Sequence, residues 1–176
     1  MRKVIALLTF VFLINVSNAQ VFVKGGNYIH TGFGLQPNSI GPISVGYEMG
    51  LTQIMGIGRF GVGVVLAHEF YFGNTNALGI VSSTQNRTTL MGRGAYHFDF
   101  NVERMDVYAG AAFAIQFRGK IKDKNTGAII TNNTPRIFPY PTFFAGIRYY
   151  LKDQFAVYAE VGYGLGFING GIVYRF

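Results

Sequence analysis

The residues able to do chemistry in this 176-residue chain are few, and charged residues make up only 13% of it. Nucleophilic catalysis needs a nucleophile, a base within hydrogen-bond reach and a group that orients the base. His97 and Asp99 come nearest, because a spacing of two puts both side chains on one face of a strand. A histidine beside a carboxylate on an inward face is, however, more often a satisfied structural residue. His68 is followed directly by Glu69, and Ser82 and Ser83 lie in the next segment, but no serine stands at strand spacing from that pair. His30 falls in the least regular of the strand patterns. With no cysteine in the chain, thiol nucleophiles, zinc ribbons and disulfide frameworks are excluded. Gly-x-Gly pairs such as Gly61/Gly63 lack the strand-to-helix context of a nucleotide fingerprint. The expectation is no catalytic residue, no cofactor and no metal.

A larger set of charged and polar residues shares one strand phase: Glu48, Glu69, Arg93, His97, Asp99, Gln116, Arg118, Arg148, Glu160 and Arg175. Basic residues are concentrated elsewhere, in Lys120, Lys122, Lys124 and Arg136, interrupted by Asp123. Both sets need elements that hold one face away from lipid or water.

Period-two alternation supplies those elements, since successive side chains on a strand point to opposite faces. Eight segments show it: residues 27–35, 42–51, 59–72, 88–100, 106–118, 143–151, 155–165 and 170–176. In the seventh, Phe155, Val157, Ala159, Val161, Tyr163 and Leu165 oppose Ala156, Tyr158, Glu160, Gly162 and Gly164. Helix is the competing reading of any one apolar segment, but each Gly of the recurring Gly-x-Gly pairs would cost a helix roughly 1 kcal/mol. A soluble sandwich would have polar outer faces, whereas this outward set is Phe, Val, Leu, Ile and Tyr. The connections also sort by length. Those at 36–41, 73–87, 119–138 and 166–169 include both long ones, and those at 52–57, 101–105 and 152–154 are short. This agrees with an even-stranded up-and-down barrel whose short turns share one side.

The chain begins Met1-Arg2-Lys3, then runs apolar from Val4 to Ile14 and reaches small residues at Ser17 and Ala19. This reads as a secretory signal peptide over residues 1–19, too short for the roughly 20 residues of a spanning helix. The domain reading is therefore a leader at 1–19 and one barrel domain at 20–176. Loss of Arg2 and Lys3 lowers the net charge from +7 to +5, and the basic residues lack interleaved aromatics, so nucleic acid is not an expected partner.

With its leader, its eight alternating segments and the ending Gly170-Gly171-Ile172-Val173-Tyr174-Arg175-Phe176, the mature chain resembles the small outer-membrane β-barrel proteins of Gram-negative bacteria. The resemblance implies an integral outer-membrane location, long loops extracellular and both termini periplasmic. It implies that Ile172, Tyr174 and Phe176 are read by the barrel-assembly machinery. Some members act on lipids with a His, a Ser and a carboxylate at the outer rim. The chain departs from the pattern in having no Trp, so an interfacial girdle must be built from Tyr and Phe.

An eight-stranded barrel is filled by its own side chains, so Glu48, Glu69, Arg93, Arg148, Glu160 and Arg175 are expected to form a lumen charge network, with Glu160 bridging Arg148 and Arg175. Lys120, Lys122, Lys124 and Arg136 are expected either to contact lipopolysaccharide phosphates or to form a solvated loop. The leading functional expectation is a non-enzymatic structural or interaction role, with a protein partner unidentified. The alternatives are passage of small or apolar solutes and lipid modification.

Overall fold

A computed structural model describes residues 22–52, 56–74, 82–100, 102–131 and 136–176. The leader expected over residues 1–19 and the position of Gln20 lie outside the described residues. The elements are β1 (Asn27–Leu35), β2 (Ser39–Gly50), β3 (Gly58–Asn74), β4 (Ser82–Phe98), β5 (Met105–Arg118), β6 (Ile121–Asp123), β7 (Ile129–Thr131), β8 (Ile137–Tyr150), β9 (Phe155–Gly162) and β10 (Ile168–Arg175).

All pairings are antiparallel, in the order β3-β2-β1-β10-β9-β8-β5-β4, and β3 pairs back to β4. Setting aside the short β6 and β7, the eight remaining strands close on themselves and leave no open edge in the ring. The seams are in register over long stretches, for example Gly58↔Phe98 through Asn74↔Ser82 between β3 and β4. Each of the eight expected segments is a barrel strand.

Alternation decides which side chains fill the ring. On β2, Ile43, Val45 and Tyr47 face out while Ser44 and Glu48 are buried. On β8, Phe143, Ile147 and Tyr149 face out while Phe144, Arg148 and Tyr150 are buried. The outer wall is thus apolar and the interior mixed. One end of the wall carries a cluster of Tyr and Phe, with Tyr96 against Phe98 at 5.1 Å, Phe155 against Tyr174 at 4.9 Å and Tyr174 against Phe176 at 6.3 Å. This end holds the short connections and is called the turn end below.

Three departures from the sequence pattern matter. First, β3 and β4 run further into the expected 73–87 connection, because Ser82–Arg87 is polar on both faces and gives no hydrophobic signal, yet its backbone still pairs with β3. Second, the 119–138 connection contains the β6–β7 hairpin, which docks on β4 through Ser83↔Asp123 and Thr84↔Lys122. Third, β9 stops at Gly162 rather than 165. Gly164 (φ +135°) and Gly166 (φ +107°) take the chain through backbone conformations that L side chains rarely adopt, and Leu165 turns inward. It packs with Val65, Ala67, Met91 and Ala114 instead of joining the outer wall.

Below β1, residues 22–26 tuck back under the turn end. Gly25 N–H donates to the Gly50 carbonyl at 2.8 Å, Gly50 N–H to Gly26 at 3.0 Å, and Val23 N–H to the Tyr28 hydroxyl at 2.9 Å. Phe22 is thereby buried in a cluster with Tyr28, Tyr150, Ala156 and Val173.

Candidate functional site

The lumen charges separate into layers. Nearest the turn end, Glu48 on β2 accepts a hydrogen bond from Arg148 Nη2 of β8 at 2.7 Å and one from His97 Nε2 of β4 at 2.6 Å. The other ring nitrogen of His97 lies 2.9 and 3.0 Å from the two carboxylate oxygens of Asp106 on β5. A second ion pair joins Arg148 Nη1 to Asp106 at 3.6 Å. Because each nitrogen of His97 faces a carboxylate, the ring donates from both, and the group balances two anions with two cations. All four residues are at most 2% exposed, so their desolvation must be offset by one another. Phe22 caps the group by stacking on His97, centroids 3.6 Å apart and planes within 4°.

One layer further along, Arg93 Nη2 of β4 donates to Glu160 of β9 at 2.8 Å, and the Tyr108 hydroxyl donates to the same oxygen at 3.2 Å. The Arg93 guanidinium lies over the Phe144 ring at 3.8 Å. His30 is buried beside the edge of Tyr158, and its Nδ1 has no hydrogen-bond partner among the described residues.

Glu160 therefore does not bridge Arg148 and Arg175. The β8–β9 register came out as expected, with Arg148 opposite Tyr158. The β9–β10 register did not: Glu160 pairs with Asn169, and Arg175 N–H reaches the Gln154 carbonyl at the turn end. Ending β9 at Gly162 rather than 165 slides the strands past each other and carries Arg175 away from Glu160. Arg175 is half-buried there, its guanidinium 5.9 Å from the centre of the Tyr150 ring.

The His97–Asp99 pairing is replaced as well. Asp99 sits at the rim and pairs with Arg59 at 3.4 Å, while His97 takes Asp106, which was not among the expected network residues. The signal for Asp106 was present, since it shares the phase of inward Tyr108, Ala112 and Ala114. Two residues before Tyr108, which is opposite His97, it occupies the diagonal position on the neighbouring strand.

At the loop end, Glu69 is inward and lies 3.7 Å from Arg87, while Gln36 donates to its other oxygen. His68 is outward, 2.9 Å from the Thr88 hydroxyl. The two neighbours thus serve opposite faces of β3. Ser83 points inward and donates to the Gly73 carbonyl at 3.0 Å. A His, Ser and carboxylate group is not assembled among these described residues, and no group of three or more His, Asp or Glu side chains among them is placed to hold a metal ion.

Lys120, Lys122 and Lys124 are exposed on the β6–β7 hairpin and the residues joining it to β5, with Lys124 5.8 Å from the Phe72 ring centre. The intervening Asp123 is engaged locally. It accepts from Asn125 N–H at 2.8 Å and Thr126 N–H at 2.9 Å, and these backbone bonds, Thr126 first, hold its carboxyl below the usual range. Arg136 is exposed at the base of β8, its carbonyl accepting from Arg118 N–H at 2.8 Å.

No protein-family model and no curated protein sequence matches the chain. Solved structures do. Ail, the attachment invasion locus protein of Yersinia pestis, is similar with a TM-score of 0.52 at 14% identity, covering 88% of this chain and 100% of that one. A second Ail structure, in complex with the heparin analogue sucrose octasulfate, gives 0.50 at 14% identity, with the same coverage. The N-terminal β-barrel domain of Pseudomonas aeruginosa OprF gives 0.48 at 18% identity, covering 87% and 98%. At such identities the likeness is one of fold, and the fold is a closed, antiparallel, eight-stranded β-barrel.

Proposed function

We propose that the protein is an integral outer-membrane barrel with a non-enzymatic role, its lumen a permanent structural plug and its loop end a surface for anionic groups of the outer leaflet. The observation that carries this reading is an apolar wall wrapped around a paired, desolvated charge network. A soluble protein would gain nothing from that inversion. Between Phe60 and Phe70 the outward residues of β3 are apolar apart from Ala67's neighbour His68, over a length close to the roughly 9–11 residues of a membrane-crossing strand. A cation from the lumen turned toward lipid at mid-depth would cost about 2–4 kcal/mol, which ties the register to the membrane.

In this reading the turn end and both termini are periplasmic and the β6–β7 hairpin is extracellular. Ile172, Tyr174 and Phe176 all face outward, as a terminal signal for the barrel-assembly machinery would require. Lys120, Lys122, Lys124 and Arg136 then stand over the outer leaflet, where lipopolysaccharide phosphates offer charge-assisted bonds. That Ail has been solved with a polysulfated heparin analogue supports a polyanion contact at the surface of such a barrel.

Each basic residue near an anionic surface contributes about 1 kcal/mol. Reversing Lys120, Lys122 and Lys124 to Glu is therefore expected to lower lipopolysaccharide co-purification at least about tenfold, while the barrel still fractionates with the outer membrane. Unchanged co-purification would refute the docking role. Resolved single-channel steps from the wild-type protein in planar bilayers would favour solute passage over a plug.

A further inference from the structure

A different group of cations lines the loop-end mouth of the lumen. There a cavity of about 160 Å³ is bounded by Gln36, Glu69, Arg87, Arg118, Tyr140 and Tyr163, among others. Arg87 and Arg118 are direct Cα partners across the β4–β5 seam, and both point inward by strand phase. Like charges directly opposite on a sheet destabilise it, so this placement calls for a compensating anion.

The protein supplies only part of one. Glu69 is 3.7 Å from Arg87 Nη1, beyond hydrogen-bond distance, and its other oxygen is held by Gln36. No carboxylate of a described residue comes within ion-pair distance of Arg118. The two guanidiniums are nevertheless held in place. Arg87 lies over the Tyr71 ring at 3.5 Å and donates from Nε to Gln85 at 2.9 Å; Arg118 lies over Phe138 at 4.1 Å and donates from Nε to Gln116 at 2.7 Å. Both arginines thus spend one face on an aromatic ring and Nε on a glutamine two residues back along the same strand. Their Nη groups make no hydrogen bond to a described residue. That leaves two oriented donor forks beside a cavity also lined by Tyr140 and Tyr163, the geometry in which guanidinium recognises a planar carboxylate or a phosphate.

We infer that this vestibule is a binding site for a small organic oxyanion, a carboxylate or phosphate carried on a group about the size of one sugar ring. The charged end is taken by Arg87 and Arg118 and the remainder packs against Tyr140 and Tyr163. The inference uses none of the hairpin lysines, so it stands or falls separately from docking to lipopolysaccharide.

The test is titration calorimetry on the full barrel in a polyoxyethylene detergent, which carries neither phosphate nor sugar. The probes are glucose 6-phosphate, glucuronate, inorganic phosphate and glucose. Saturable binding of glucose 6-phosphate or glucuronate with Kd near or below about 1 mM is expected, and the stronger of the two identifies the oxyanion. Inorganic phosphate should bind more weakly, having nothing to place against the tyrosines, and glucose not at all. Arg118→Gln should weaken binding about tenfold or more, whereas the triple lysine reversal should leave it unchanged. If Arg118→Gln does not fold, shifts of the Arg87 and Arg118 Nε–H resonances of the wild-type protein on addition of the same ligands give the answer without a variant. Absence of saturable binding by either sugar acid, equal binding of glucose, or undiminished binding by a folded Arg118→Gln barrel would each overturn the assignment.

Discussion

Replacing Glu48 by Gln tests the central claim about the lumen. Glu48 is fully buried and receives two donors, His97 Nε2 at 2.6 Å and Arg148 Nη2 at 2.7 Å. Glutamine has nearly the same shape but only one acceptor oxygen, and its amide group turns further donors toward donors. Arg148 is left with Asp106 alone, at 3.6 Å, and the cluster holds two cations against one carboxylate. Removing one partner from a buried ion pair costs about 3–5 kcal/mol, because the surviving charge stays desolvated. Against the usual folding stability of about 5–15 kcal/mol, that is a large and measurable fraction.

Urea unfolding of barrels refolded in lipid vesicles measures the effect. The chain has no Trp and 11 Tyr, so far-ultraviolet circular dichroism and the heat-dependent shift of folded barrel on gels are the practical readouts. The companion variant replaces Glu48 and Arg148 together by Met. His97 and Asp106 then remain as a balanced pair, and substituting both members of a buried ion pair by apolar residues is often nearly neutral. The double variant should therefore be distinctly more stable than Glu48→Gln. A loss below about 1 kcal/mol for Glu48→Gln, or a double variant worse than the single, would refute the argument that these charges are dry and mutually compensating.

The same measurement checks three further outcomes. Phe22→Ala removes the ring stacked on His97 and should cost about 3–5 kcal/mol as a buried aromatic truncation; a loss within 1 kcal/mol would mean that the segment before β1 is not part of the core. Gly171→Ala places a methyl group against the Thr31 carbonyl and Gly32 Cα, both backbone, and should cost about 1–3 kcal/mol in strain, whereas Gly92→Ala, with open space at that position, should be tolerated. Glu160→Gln should behave as the loss of one partner of Arg93, and Glu160→Met combined with Arg93→Met should recover most of the loss, with Arg148 uninvolved in either effect.

The strands and their facing were readable in the sequence because an apolar outer wall and a polar lumen place opposite chemistry on alternate residues. Ile43, Val64, Phe113, Phe143 and Ile172 all emerge on the outer wall as their phase required. Partners were legible only where they lie on neighbouring strands. Asp106 beside His97 could have been found, being a diagonal neighbour across a short turn. The pairs Arg93–Glu160 and Arg148–Glu48 could not, because β4 faces β9 and β8 faces β2 across the lumen, and those distances depend on the stagger of the closed ring. The same limit hid Arg87, which sits in a polar stretch without alternation, and it misplaced Arg175, whose position depended on where β9 ends. Two glycines at positive φ decided that end, and their conformation is not written in hydropathy.

The glycines that interrupt each strand explain how long charged side chains fit inside so narrow a ring. At several inward positions a glycine makes room for a large side chain from another strand: the Tyr158 hydroxyl lies where a side chain on Gly32 would stand, His30 where one on Gly46 would, Phe144 against Gly110 and Tyr108 against Gly146. A lumen packed this way cannot widen into a pore without losing the contacts that hold His97, Arg148 and Arg93 in place. Compensation also changes along the barrel axis. At the turn end and in the middle, each carboxylate meets its cation at hydrogen-bond distance, but at the loop end Arg87 and Arg118 face each other with one carboxylate, Glu69, 3.7 Å from Arg87. A charge network kept only for stability would have no reason to set Arg118 against Arg87 with no carboxylate of a described residue within its own reach, so any binding function of the lumen belongs at that mouth.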